Sequence, residues 1–159
     1  MPTPPTQPKT QAQTQAQDRE LAEAFTGCLA SAIRQADRLV ASVFDERLRD
    51  IDLRGTQLTL LGAIATLDRP NQRDLSEMTH TDATTLSRNL DRLFDRGLID
   101  RIECTKDRRM RRYVLTNAGR KTLREALPLW QAAQEDIARR LGEDVCTMMR
   151  NLSGVLVDD

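Results

Sequence analysis

The stretch RDLSEMTHTDATTLSRNLDRLFDRG, Arg73 to Gly97, followed by LIDRIECTKDRRMRRYVLT, Leu98 to Thr116, decides the fold. Arg73 to Thr79 reads as a short helix, and His80 and Thr81 as a turn. Asp82 to Arg96 reads as a second helix. Thr81 or Asp82 can accept hydrogen bonds from its free first-turn amides, and Gly97 ends it in a conformation that favours glycine. Leu86, Leu90, Leu93 and Phe94 make its expected buried stripe, and Thr84, Thr85, Ser87, Arg88, Asp91 and Arg92 lie on the opposite face. After Gly97 the apolar period changes from helical to twofold. Leu98 to Cys104 and Arg111 to Leu115 read as strands, joined by the polar tip Thr105-Lys106-Asp107-Arg108-Arg109-Met110. A helix-turn-helix followed by such a hairpin is a winged helix.

Working outward, Leu58, Leu60, Leu61, Ile64 and Leu67 predict a helix over Thr56 to Leu67, with Pro70 and Asn71 closing the connection after it. Upstream, Leu21, Phe25, Cys28, Leu29, Ile33, Leu39, Val40, Val43 and Phe44 recur at spacings of three and four. They predict one long amphipathic helix from an Asp18 cap to about Asp45. Residues 1–17, rich in Pro, Thr and Gln, read as a disordered tail. Downstream, Thr116 caps a helix to about Arg139, with Leu123, Leu127, Trp130, Ala133 and Ile137 on one face and Pro128 expected to kink or interrupt it. A last helix is expected from Glu143 to Val157. The fold class is therefore mainly α with a small β-hairpin wing. Its divisions are 1–17 tail, 18–54 N-terminal helix and connection, 55–116 winged helix-turn-helix, and 117–159 C-terminal helices.

The chain has 159 residues and no formal net charge, yet its charge is polarised. Thr84 to Arg112 holds nine basic residues against five acidic ones, whereas Leu141 to Asp159 holds one against four. A basic segment lying on a winged helix points to nucleic acid. Short polar groups and an arginine on the first turns of a helix suit base edges and neighbouring phosphates. With no apolar run near 18 residues and no apolar segment behind a basic start, neither a membrane span nor a secretory signal is expected, and location is expected to be cytoplasmic. Cys28, Cys104 and Cys146 are far apart and His80 is the one histidine, so no metal site or cofactor is expected. One histidine, no Gly-rich phosphate loop and no nucleophile elbow argue against an enzyme.

Two motifs carry a resemblance. DRRMRRYVLTNAG, Asp107 to Gly119, resembles the wing and exit of the MarR family: Asp-x-Arg at the tip, here Asp107 and Arg109, then a strand and Leu-Thr-x-x-Gly, here Leu115, Thr116 and Gly119. LDRLFDRGLIDR, Leu90 to Arg101, resembles the family's approach to the wing. The resemblance spans roughly Glu20 to Val157. It implies a homodimer joined by N- and C-terminal dimerisation helices and a helix from Asp82 that enters the major groove of double-stranded DNA. It also implies that Arg109, oriented by Asp107, enters the flanking minor groove.

The residues expected to meet DNA are thus Thr84, Thr85, Ser87, Arg88, Arg92, Lys106, Asp107, Arg108, Arg109 and Arg111. Arg111 and Arg112, on the wing strand, are expected to meet phosphate. The expected function is a repressor acting on a pseudo-palindromic operator. The resemblance also implies release by a small aromatic or anionic effector, in a crevice of the first, second and fifth helices for which the sequence names no anchor. Two alternatives stand beside it. A thiol-based redox regulator would use Cys104 sooner than Cys28, which lies on an apolar stripe, and with Tyr113 as the one tyrosine a tyrosine-lined thiol site cannot be built. A winged-helix protein-interaction module would leave the basic wing without a role.

Overall fold

The computed structural model describes residues 11–103 and 111–157, and gives the backbone alone for 12, 13, 24, 103 and 153–157. Its elements run α1 (Gln11–Thr26), α2 (Leu29–Arg47), a 3-10 turn (Arg49–Ile51), α3 (Gly55–Thr66), α4 (Gln72–Thr79), α5 (Ala83–Asp95), β1 (Ile99–Glu103), β2 (Arg111–Leu115), α6 (Asn117–Leu141) and α7 (Glu143–Val157). The chain divides into two compact units at Leu39 and Val40, inside α2.

In the first unit, the single long helix expected from Asp18 is two helices. Helix starts at Gln11 and breaks at Gly27 and Cys28. A glycine inside a helical run costs backbone entropy, which weakens the run there. Cys28 then opens α2, its carbonyl accepting from Ser31 and Ala32 at 3.0 and 3.1 Å. Its side chain is half-buried at this break. Leu21, Phe25, Leu29 and Ile33 are exposed, Phe25 at 73%.

The second unit is built around α3, whose sequence is apolar on nearly every side. Leu58, Leu60, Leu61, Ala63 and Ile64 are all buried. They form one core with Leu75 of α4, Leu86, Leu90 and Leu93 of α5, Ile99 of β1, Tyr113 and Leu115 of β2, and Ala126 of α6. Each fully buried leucine contributes roughly 1.5–3 kcal/mol. The start of α3 is held by Asp45, which accepts from the Gly55 amide at 2.8 Å and pairs with Arg54 at 3.1 Å. α6 runs through Pro128 without interruption. On α6 the buried Asp136 receives Arg140 at 2.8 Å, with Arg139 and Arg47 at 3.5 and 3.9 Å.

β1 and β2 pair antiparallel, with Ile99 opposite Leu115, Arg101 opposite Tyr113 and Glu103 opposite Arg111. Asn71 bridges to Arg112, and the Tyr113 amide donates to the Pro70 carbonyl at 2.9 Å. The α3–α4 connection therefore borders the hairpin's root. α5 ends in paired closing bonds, from Leu98 N to Leu93 O and from Gly97 N to Phe94 O, with Gly97 at φ 66°. Immediately after, the Leu98 carbonyl accepts from the Thr116 amide at 3.1 Å and from its hydroxyl at 3.2 Å. That hydroxyl also donates to Gly97 O at 2.7 Å and accepts from Gly119 N at 3.0 Å, capping α6.

This packing accounts for the Leu-Thr-x-x-Gly spacing. A Cβ on Gly119 would lie 1.9 Å from the Leu98 oxygen, where backbone on both sides prevents relief. Gly119→Ala should therefore destabilise the fold by about 1–3 kcal/mol or more. Gly62→Ala, where a Cβ meets nothing within 4 Å, should be neutral or stabilise by up to about 1 kcal/mol. Denaturant unfolding of the two variants checks the difference in sign.

Candidate nucleic-acid interface

The turn between α4 and α5 is fixed by its own side chains. Asn71 caps α4, accepting from the amides of Arg73 and Asp74 at 2.7 and 3.1 Å, while Asp74 accepts from the Asn71 amide at 2.9 Å. α4 ends on His80, which adopts φ 48°. Ser76 donates to the Thr81 carbonyl at 2.8 Å, and Thr79 to the Thr81 hydroxyl at 3.0 Å. Asp82 is the cap of α5, accepting from the amides of Thr84 and Thr85 at 3.0 and 2.9 Å. Hydrogen bonds from Thr85, then Thr84, hold its carboxyl below the usual carboxylate range.

These constraints present the α5 face as expected. Thr84, Thr85, Ser87, Arg88 and Arg92 are all exposed. Thr84, Ser87, Arg88 and Arg92 share a shallow groove with Asp91 and Asp95, and Thr85 stands outside it. Arg88 and Arg92 enter no ion pair among the described residues. Arg92 also borders a polar cleft with Asp45, Glu46, Asp52 and Asp95. Arg111 is exposed on β2. Arg112 is half-buried instead, its guanidinium donating to the Arg69 carbonyl at 2.7 Å, so its first task is structural. Lys106, Asp107, Arg108 and Arg109, with Cys104, lie outside the described residues.

One expected core residue belongs to the surface. Phe94 is 37% exposed, because the buried stripe runs through Leu86, Asn89, Leu90 and Leu93. Its ring is covered by the Arg101 guanidinium, 4.2 Å from the ring centroid. Arg101 also pairs with Asp91. Sequence reading did not single out Arg101 or the buried Asn89. The available signal for Arg101 was a cation on the inward register of β1, facing an acid and an aromatic three residues apart on α5.

A second feature is a cavity of about 650 Å³ between α3, β2 and α6. Leu58, Leu115, Leu123, Leu127 and Trp130 supply apolar lining, and Arg120 and Arg124, one turn apart on α6, supply charge. These are the second and fifth of the helices expected to form an effector crevice.

The sequence model of the MarR family matches residues 51–110, the span from the 3-10 turn into the wing. In that span the chain is similar to the MarR family. The fold matches solved members over their near-complete length. The Mycobacterium tuberculosis transcriptional regulator MosR, solved in complex with DNA, is 29% identical with a TM-score of 0.72, covering 81% of this chain and 96% of that one. The transcriptional repressor CouR, bound to a 23-mer DNA duplex, is 25% identical with a TM-score of 0.72, covering 83% and 94%. Bordetella bronchiseptica BpsR, whose DNA binding is regulated by 6-hydroxynicotinic acid, shares the fold at 22% identity and a TM-score of 0.71, covering 79% and 98%. The partial family match and these neighbours make the chain similar to winged-helix DNA-binding transcriptional regulators. Among the described residues no helix is long and apolar enough to cross a membrane.

The Asp82 cap yields a pH-dependent test. Because folding lowers its pKa, its contribution is complete at neutral pH and is lost as pH falls through the folded value, below the ordinary carboxylate pKa of about 3.9. Asp82→Ala should lower the thermal midpoint at pH 7, and the gap to wild type should shrink as pH falls below about 4. A gap that stayed constant down to pH 2 would show that the carboxylate charge contributes nothing to the cap.

Proposed function

We propose that this protein is a homodimeric repressor that binds a pseudo-palindromic operator and lets it go when a small aromatic or anionic molecule binds. The observation that carries the DNA part is the α5 face. Thr84, Thr85, Ser87, Arg88 and Arg92 project from a helix whose start is locked by Asp82 and whose end is locked into the wing root. α5 would lie in the major groove, with Arg109 in the flanking minor groove oriented by Asp107. A narrow minor groove concentrates negative potential and attracts a guanidinium. Lys106, Arg108 and Arg111 would add phosphate contacts, the salt-dependent share of affinity. Such a protein works in the cytoplasm, where the operator is.

A dimer is supported by the apolar side chains that the single chain leaves in water: Phe25 and Leu29 in the first unit, and Val145, Met148 and Met149 on α7 in the second. Twofold symmetry would place half-sites about one helical turn apart, roughly 34–36 Å. The effector part is supported by the cavity of α3, β2 and α6, where an apolar wall and two arginines suit an amphipathic acid. A fold neighbour regulated by 6-hydroxynicotinic acid, an aromatic acid, adds to it. For such a ligand to release DNA it must favour the geometry that does not bind DNA.

Arg109→Ala should weaken specific binding by about 1–3 kcal/mol, and Arg88→Ala should weaken it and relax sequence preference. Fluorescence anisotropy on the intergenic DNA beside the gene measures both, and unchanged affinity at moderate salt would remove the residue from the interface. The cavity has its own reporter, because Trp130 is the one tryptophan. Titration with 6-hydroxynicotinate and benzoates should shift its emission and lower DNA affinity, with Arg124→Ala weakening both responses. Quenching without any change in DNA affinity would separate the cavity from regulation.

A further inference from the structure

We propose that Arg101 is the positioning residue that sets the wing on the recognition helix, with Asp91 and Phe94 of α5 as its anchor points. The inference rests on the DNA-binding reading and adds to it how the two DNA-reading elements keep a fixed separation.

A hairpin of two five-residue strands is marginal by itself and must be braced by the body it grows from. One edge is braced by the Pro70–Asn71 segment. On the other strand, the inward positions of the hairpin are Ile99 and Arg101, opposite Leu115 and Tyr113. Ile99, Tyr113 and Leu115 are buried apolar groups; Arg101 is the charged exception. Its side chain is 23% exposed, and its Nε is buried with no hydrogen-bond partner. Such a desolvated cation needs compensation. It finds it across the gap on α5, pairing with Asp91 and lying over the Phe94 ring, residues one turn apart.

Two consequences follow for DNA. The guanidinium ties the inner strand of the wing to the middle of α5, one turn beyond Arg88. It also neutralises Asp91, which otherwise stands in the groove between Arg88 and Arg92 as a charge that repels phosphate. With one face over Phe94 and an N–H on Asp91, Arg101 is a brace and not itself a phosphate contact.

The test compares full-length wild type with Arg101→Met, Arg101→Lys and Asp91→Asn, by hydrogen exchange without DNA and by anisotropy and hydroxyl-radical footprinting on the operator. In Arg101→Met, exchange should accelerate in 99–103 and 111–115 but not in α3. Operator affinity should fall about tenfold, the low end of one lost DNA contact, and protection flanking the major-groove contacts should be lost first. Lysine should fall between, since it keeps the charge but not the planar stack. Asp91→Asn should loosen the hairpin too, and should cost little more once Arg101 is gone, because the two act as a pair. Unchanged exchange and footprint in Arg101→Met would overturn the proposal. So would a salt slope reduced by about one with exchange unchanged, the mark of a direct phosphate contact. If wild type bound no duplex while the exchange pattern held, the DNA reading would fail and the brace would stand.

Discussion

The carbonyl oxygen of Leu98 is the point on which the second unit depends. It accepts both the amide and the hydroxyl of Thr116, and Gly119 sits against it at a distance no side chain tolerates. One residue earlier, Gly97 takes the left-handed conformation that ends α5. Within a few residues the end of the recognition helix, both roots of the hairpin and the start of α6 are fixed together. A buried carbonyl left unpaired is costly, so this junction has little freedom to rearrange piecemeal.

That junction gives the proposed function its mechanical basis. α6 begins on it, and the next residues along α6, Arg120, Leu123 and Arg124, line the cavity. Anything that changes how that cavity is filled acts on a helix whose first turn is bonded to the wing root. Electrostatics follows the same layout. A chain with no net charge carries its basic excess in the segment that includes α5 and the wing and its acid at the far end. Within the α5 face two acids are engaged locally, Asp82 as a cap and Asp91 by Arg101.

What the sequence made readable, and what it did not, divides along physical lines. The cap at Asp82, the stop at Gly97, the change of period after it and the Thr116 cap are all local events, with signals inside a few residues, and the structure has them. The exposed positions of α5 followed from the same periodicity. Phe94 did not, because a helical count cannot tell a core leucine from an aromatic at the stripe's edge that a strand arginine will cover. The break at Gly27 was hidden by apolar spacing that continues on both sides of it. Arg101, Asn89 and the arginines of the cavity acquire their roles from partners seven or more residues away on another element, or from enclosure by other elements, and one-dimensional periodicity carries neither. The proposal that the wing meets DNA through Asp107 and Arg109 came from their resemblance to a family motif and not from composition.

The central claim is that the α5 face and the wing read a specific DNA sequence. Fluorescence anisotropy of the intact protein on its adjoining intergenic duplex and on a scrambled duplex of the same composition, across a salt series, tests it most directly. The account predicts one dimer per site, affinity that falls steeply with salt, and a preference for the natural duplex of at least about a thousandfold. Equal, weak binding to both duplexes at every salt concentration would contradict it.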